Sequence, residues 1–152
     1  MARNPALVNQ LADQLLAALR RIDSTLDAGN WLTSPRSFGR GFYVGDLGAL
    51  LPALQVRVRQ LTDAPLTGSI HRGSLALQVF CLTTGDSRGE VEMQDLVSDV
   101  FKAVTDDEDL GGLAITAYPE QYQYNGPASE SAGLTVGIVD VAVEYEWSHG
   151  QP

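Results

Sequence analysis

The spacing of apolar residues changes several times along the 152-residue chain, and this succession restricts the possible folds more than any other feature. From residue 7 to residue 26, apolar residues recur every three or four positions, which predicts a helix with one apolar stripe. Asn4-Pro5 suits the start of that helix, and Gly29 suits its end. The helix is therefore expected over residues 5–27.

Two stretches of alternating apolar and polar residues follow, which is the pattern of strands with one solvent-facing side. They cover residues 54–59 and 70–83. The segment between them contains Pro65 and Gly68 and predicts a turn. Together the two stretches predict a long hairpin with an extended polar tip at residues 62–72.

Helical spacing returns after Ser87, which with Glu90 forms the pattern of a capping box. The second amphipathic helix is expected over residues 88–104. Beyond it the sequence predicts a short strand at residues 113–117, a polar and turn-rich segment, and a long Val- and Ile-rich strand at residues 134–147.

The alternation in the last strand changes phase near Ile138 and Val139, which indicates a bulge. Residues 31–51 have no sustained period and predict a long loop, with a short strand at residues 42–44. Loops of this length tend to be functional or mobile. The aromatic side chains of residues 31–51 either contact another protein or cover one end of the core.

The order of elements predicts a single α+β domain over residues 1–152, with residues 148–152 as a tail. In this domain two amphipathic helices pack on one face of a mainly antiparallel sheet, which is built from the hairpin and the C-terminal strands. The result is a sandwich of two layers.

The net charge of −9 argues against a nucleic-acid reader, whose binding surface is basic. Residues 1–76 hold eight arginines and five acids, whereas residues 77–152 hold two basic residues and fourteen acids. Two interpretations stay open: a solvated acidic surface, or a molecule with two electrostatic faces suited to stacking or to lining a channel.

The sequence contains no apolar run near the ~20 residues that span a bilayer, and the N-terminus lacks a signal-peptide pattern. We therefore expect a chain made in a cytoplasm, with no membrane partner. Cys81 lies in an apolar strand-like run, which predicts a buried, inert thiol.

A search for chemistry predicts no catalytic, cofactor-binding or metal-binding residues. His71 and His149 have no second ligand at a metal-site spacing, and no phosphate-cradling glycine loop occurs. Glu144 and Glu146 lie on one side of the last strand, where alternation explains them as its outward face. The sequence thus predicts a protein that is not an enzyme and has no cofactor.

The whole pattern resembles the tail terminator (tail completion) proteins of long-tailed bacteriophages. The resemblance covers nearly the full chain and depends on the order of the elements and on the residue pattern within them. The stretches that carry it are LALQVFCLTT, GEVEMQDLVSDVFKAV, LGGLAITAYP and VGIVDVAVEYEW.

The resemblance implies a structural virion protein that forms a hexameric ring on the tail tube. Such a ring stops tube polymerisation and offers a surface to the head-side connector or stopper protein, while DNA passes through without specific binding. It implies a location in the virion tail or neck, and in the host cytoplasm during assembly. The alternatives are another neck component, such as a head-completion protein, or a small ligand-binding domain or enzyme with a scattered site.

Two sets of residues are expected to act in such a ring. The first comprises candidate contacts to neighbouring subunits or other partners: Trp31, Phe38, Arg40, Phe42, Tyr43, Asp63, Pro65, Leu66 and His71. The second comprises acids that would line the lumen: Glu90, Glu92, Asp95, Asp99, Glu144 and Glu146.

Overall fold

The computed structural model describes residues 6–41, 50–67, 70–127 and 133–148. Within these ranges the chain forms two helices and five strands. In chain order they are α1 (Leu7–Leu19), β1 (Ser37–Arg40), β2 (Ala53–Thr67), β3 (Ile70–Thr84), α2 (Ser87–Asp106), β4 (Thr116–Pro127) and β5 (Leu134–Ser148).

The five strands form one open sheet in the order β1-β2-β3-β5-β4. The short strand β1 runs parallel to β2, and every other neighbouring pair is antiparallel. Both helices pack on the same face of this sheet. The predicted α+β class, with a mainly antiparallel sheet and two amphipathic helices on one face, is confirmed.

Each face of the sheet carries its own apolar cluster. We call the face that packs against the helices the inner face, and the opposite face the outer face. On β3, alternation places Leu77 and Val79 in the main core on the inner face, and Phe80 and Leu82 in a second cluster on the outer face. This explains why the later part of β3 is apolar on both sides.

The first helix is shorter than predicted, because α1 ends at Leu19 and its C-cap is Arg20 instead of a residue near Gly29. Ile22 is still buried, but Leu26 is 85% exposed. The carboxylate of Asp23 accepts hydrogen bonds from the backbone amide and the hydroxyl of Thr25. A local turn of this kind competes with helix and takes the chain out of it.

The predicted long loop at residues 31–51 contains a strand that the prediction missed. Strand β1 lies beside β2 with Phe38 opposite Leu54, and the amide of Gly41 donates to the Val56 carbonyl at 2.8 Å. Four residues with two glycines nearby are too short and too irregular to give a readable alternation. The short strand predicted at residues 42–44 lies outside the described residues.

The hairpin is paired almost to its end, which corrects the predicted polar turn at residues 62–69. Strands β2 and β3 stay in register from Ala53 opposite Leu82 to Thr67 opposite Ile70, with shifts after Val58 and after Pro65. The predicted tip at residues 62–72 is therefore mostly strand.

Strand β4 occupies much of the segment that was predicted to be turn-rich, whereas the strand predicted at residues 113–117 overlaps it by only two residues. It lies at the edge of the sheet, where polar residues and Pro119 are tolerated. The edge position hid β4, because its residues lack the apolar alternation of the central strands.

The predicted bulge in the last strand is wrong. Strand β5 pairs with β3 without a register shift from Leu134 to Ser148. The change of phase arises because Leu134 and Val136 belong to the outer cluster, whereas Val139 and Val141 belong to the main core. A strand that serves two apolar clusters changes its apparent phase while its backbone stays regular.

The second helix extends two residues further than predicted at its C-terminal end, and its cap is Asp86 in place of Ser87. The Asp86 carboxylate accepts a hydrogen bond from the Gly89 amide at 2.9 Å. The predicted capping box is therefore wrong by one residue, since an acid directly before a serine competes for the same amide.

Candidate functional site

The candidate contact residues in the first 41 positions make their contacts within their own subunit. Trp31 is 6% exposed and lies in the main core, with the Lys102 ammonium 5.6 Å from its ring centre. For Trp31, the expectation of a partner contact is wrong, and the alternative, that the aromatic covers one end of the core, is correct.

Two further candidates, Phe38 and Arg40, link β1 to α1. Phe38 packs against the main core, with the guanidinium of Arg20 6.0 Å from its ring centre. Arg40 forms an ion pair with Asp13 at 2.8 Å and donates to the Asn9 side chain at 3.2 Å. Both side chains therefore hold the edge strand against α1.

The remaining contact candidates lie in or beside segments that are described only in part. Phe42 and Tyr43 lie outside the described residues, and of Asp63, Pro65 and Leu66 only the backbone is described. Their backbones belong to the outer part of β2, and the half-buried His71 lies on β3 opposite Pro65.

The second half of β2 extends past the residues of that strand that pack in the core. On β2 the residues that pack against the core end at Val58, and Arg59, Gln60, Leu61 and Thr62 are exposed. We call residues 59–67 of β2 and 70–74 of β3 the arm. Strand β5 pairs with β3 along the whole arm, up to Ile70 opposite Ser148, so the arm is ordered by three strands.

The expected lumen acids do not form one surface. Glu144 and Glu146 lie on the outer face, where the Arg72 guanidinium donates to Glu146 at 3.1 Å. Glu90 and Glu92 belong to α2, on the inner side of the sheet, and their two-residue separation places them about 200° apart around the helix. The structure separates these four carboxylates onto different sides of the subunit.

Asp99, which was also expected to line the lumen, is buried at 2% exposure. Its carboxylate accepts hydrogen bonds from the Leu32 amide at 3.0 Å and from the Thr33 amide at 2.8 Å. The lumen expectation is wrong for Asp99, which holds the segment after α1 against α2. Asp95, one helical turn earlier, is exposed.

An open groove lies where the segment 23–36 runs past the first half of α2. Its volume is about 1070 Å³, and Leu51 and Pro52 line it at the start of β2. Among its lining residues are four carboxylates and two guanidiniums: Asp23, Asp86, Glu92, Asp95, Arg36 and Arg88. The groove thus combines an apolar base with an excess of negative charge.

Two of these carboxylates have shifted pKa values, and local hydrogen bonds explain both. Hydrogen bonds from the Thr25 side chain and backbone lower the pKa of Asp23. Hydrogen bonds from the Gly89 amide and the Thr84 hydroxyl lower the pKa of Asp86. These shifts result from a turn and a helix cap, so they give no indication of a ligand site.

Four polar side chains form a hydrogen-bonded row across the outer face, which the sequence analysis did not predict. Arg57 donates to Gln78 at 2.7 Å, while Gln78 and Gln121 donate to Asp140 at 3.3 and 2.6 Å. The residues come from β2, β3, β4 and β5 and lie opposite one another in register. Only the register, which alternation alone does not specify, brings them together.

Within the described residues, no group of three His, Cys, Asp or Glu side chains is placed to hold a metal ion. Cys81 is buried as predicted, and burial raises the pKa of its thiol far above the usual range. No helix in the described part of the chain is long and apolar enough to cross a membrane.

A scan against protein-family models and a search of curated proteins both found no match for this chain.

Proposed function

We propose that this chain is a structural virion protein, a tail terminator that forms a ring on the tail tube of a long-tailed phage. The ring stops tube polymerisation and joins the tube to the head-side connector. One support is the order of elements on which the resemblance depends, namely helix, hairpin, helix and two strands; the fold has this order with the short strand β1 added before the hairpin. The proposed location is the virion neck, and the host cytoplasm during assembly.

The observation that carries the proposal is the arm. Strands β2 and β3 are each 15 residues long, whereas strands of globular proteins are usually about 5–6 residues. Beyond Val58, β2 contributes no described side chain to the core of its own subunit. An ordered extension whose described β2 side chains, residues 59–62, are exposed suits a contact with another subunit, as a ring requires.

The charge of the chain is consistent with a ring through which DNA passes. A net charge of −9 disfavours attachment to phosphates. Of the expected lumen acids, Glu90 lies on α2, is exposed and does not line the groove. We therefore propose that the side of α2 that carries Glu90, and not the outer face of the sheet, faces the channel.

A head-completion or stopper protein remains the closest alternative, because it would share the ring and the charge. The two differ in position, since a terminator contacts the tail tube directly. A small ligand-binding domain or a scattered-site enzyme is the alternative from another class. The groove would be the location of a ligand or active site in such a protein. However, the two groove carboxylates with lowered pKa values, Asp23 and Asp86, accept the hydrogen bonds of a turn and a helix cap.

Electron cryomicroscopy of virions that carry the chain tests the proposal. We expect six copies at one level, in contact with the last ring of tube subunits. Virions made without the chain should have tails of abnormal length that fail to join heads. A single copy per particle, or a ring that contacts only the head-side connector, would contradict the terminator assignment.

A DNA-retention assay on the purified chain provides a second test. We expect no retention even at low salt, where electrostatic binding to phosphates is strongest. A double variant, Glu90→Lys with Gln94→Lys at the exposed position one turn further along α2, should produce retention that disappears as salt is raised. Tight binding of DNA by the unmodified chain would contradict the proposed channel.

A further inference from the structure

The arm and the groove lie at opposite ends of the same hairpin. Leu51 and Pro52 of the groove directly precede β2, and Thr84, which also lines it, ends β3. The arm begins at Arg59, and Leu61 is eight residues from Ala53 along β2. At about 3.3 Å per residue, this places Leu61 roughly 26 Å from the start of the strand.

The groove exposes apolar side chains with acids beside them. Leu32 is 59% exposed and Val91 is 67% exposed, and both line the groove. Asp95 lies one helical turn from Val91 on α2. Large apolar side chains grouped in one concave, acidic surface favour a partner with an apolar side chain and a cation.

The arm presents these two groups. Leu61 is 47% exposed, and its pairing with Leu75 places it on the inner face. Arg59 lies where the register shifts between Val58 and Gln60, and it is exposed. No ion pair links Arg59 to any side chain that the structure describes, whereas Arg72 and Arg40 each have a carboxylate partner.

We infer that the arm of one subunit docks in the groove of a second copy of this chain, with Leu61 against Leu32 and Val91 and with Arg59 near Asp95. A subunit cannot join its own arm to its own groove, because they lie at opposite ends of the rigid paired strands. The contact is therefore head-to-tail and repeats from copy to copy. The inference rests on the proposed ring function for its number of copies and its location.

Disulfide trapping tests the contact directly. Leu61→Cys and Val91→Cys are combined in one chain, and the native Cys81 is buried and does not compete. Under oxidation of assembled particles, the double variant should give a ladder of disulfide-linked oligomers, since every subunit joins two neighbours. Each single variant should stay monomeric, because a head-to-tail contact never brings two identical residues together.

The matched control pairs Leu61→Cys with Thr105→Cys. Thr105 is exposed on the same side of α2 as Val91, but lies about 21 Å further along the helix. This pair should give no oligomer ladder. Dimers formed by either single variant would indicate a two-fold contact and would overturn the inference.

Charge exchange supplies a second readout. Arg59→Glu and Asp95→Arg should each weaken self-association several-fold, and the double exchange should restore it, with a smaller effect at high salt. Sedimentation measures the association, and circular dichroism checks that each variant is folded. Equal loss in both single variants and in the double variant would contradict the pairing.

The two proposals fail in different ways. If virions contain a ring of this chain but the Leu61/Val91 pair gives no ladder, the docking is wrong and the ring function stands. If the chain is absent from virions, the tail function is wrong. The same trapping on concentrated purified chain then decides the docking, and the lack of a ladder there overturns it.

Discussion

Asp99 on α2 holds Thr33 through two hydrogen bonds, one from the backbone amide at 2.8 Å and one from the hydroxyl at 2.6 Å. Both residues are buried, although they are 66 positions apart in the chain. The same carboxylate accepts a hydrogen bond from the Leu32 amide. One buried acid thus satisfies the backbone of the segment that leads from α1 to β1.

We expect Asp99→Ala to lower the free energy of unfolding by about 1–3 kcal/mol or more, because it leaves buried amides without an acceptor. Asp99→Asn should cost less, since its remaining oxygen still accepts one hydrogen bond. Urea denaturation measures both. Asp95→Asn, an exposed acid on the same helix, is the control and should change stability by less than about 0.5 kcal/mol.

The role of Asp99 could not be predicted from the sequence. The position of Asp99 on α2 is beside the apolar stripe of the helix. The sequence alone does not show that the segment with the Leu32 and Thr33 amides packs against it there. Asp95 and Asp99 look equivalent in the sequence, yet one is exposed and the other is 2% exposed. Long-range hydrogen bonds of this kind depend on tertiary packing.

Other parts of the fold followed from local pattern. Strand β3, α2 and β5 are long and strongly periodic, and they were predicted to within a few residues, whereas β2 extends to Thr67, well past its predicted end at Arg59. The end of α1 was missed because the apolar spacing happens to continue to Leu26, which is exposed. The edge strand β1 was missed and β4 was placed too early, because an edge needs little apolar alternation.

The residues of the proposed contact were harder to predict than the fold. Leu61 and Val91 are ordinary members of periodic segments, and only the fold leaves both of them exposed, at opposite ends of the hairpin. Conversely, Trp31 resembles an interface residue in sequence but lies in the core. Exposure depends on which elements cover a residue, and local spacing does not contain that information.

Two alanine variants test whether Asp86 or Ser87 caps the N-terminus of α2. We expect Asp86→Ala to destabilise the fold, since the Gly89 amide loses its acceptor. Ser87→Ala should have little effect. The two variants differ only in which neighbour is truncated, so the comparison of their thermal midpoints identifies the cap.

The effect of Asp86→Ala should also depend on pH. The pKa of Asp86 is lowered in the fold, so its contribution is present above the unfolded pKa and is lost as pH falls through the folded pKa. The difference in midpoint between wild type and variant should therefore shrink in acid. A difference that stays constant to low pH would show that the charge is not involved.

Gly89 is placed where a side chain has no room. A Cβ built there would lie 1.7 Å from the Thr84 carbonyl oxygen, which is backbone and cannot move away cheaply. We expect Gly89→Ala to lower the free energy of unfolding by about 1–3 kcal/mol, although alanine is normally the better helix residue. Gly29→Ala is the control, because its nearest neighbour would be 3.9 Å away and ordinary contact would result.

Cys81 should make stability fall at alkaline pH. Burial raises the pKa of its thiol in the folded chain, whereas an unfolded cysteine has a pKa near ~8.5. Above that value the unfolded chain releases a proton that the folded chain retains, so the free energy of unfolding should decrease by up to about 1.4 kcal/mol per pH unit. Urea denaturation between pH 8 and pH 9.5 measures the slope. Cys81→Ala is less stable at all pH values because it leaves a cavity, but its slope should be flatter by this amount.

In native buffer the wild-type thiol should also resist a maleimide reagent and react only after unfolding. Equal slopes in the two proteins, or rapid labelling of the folded chain, would contradict a buried neutral thiol.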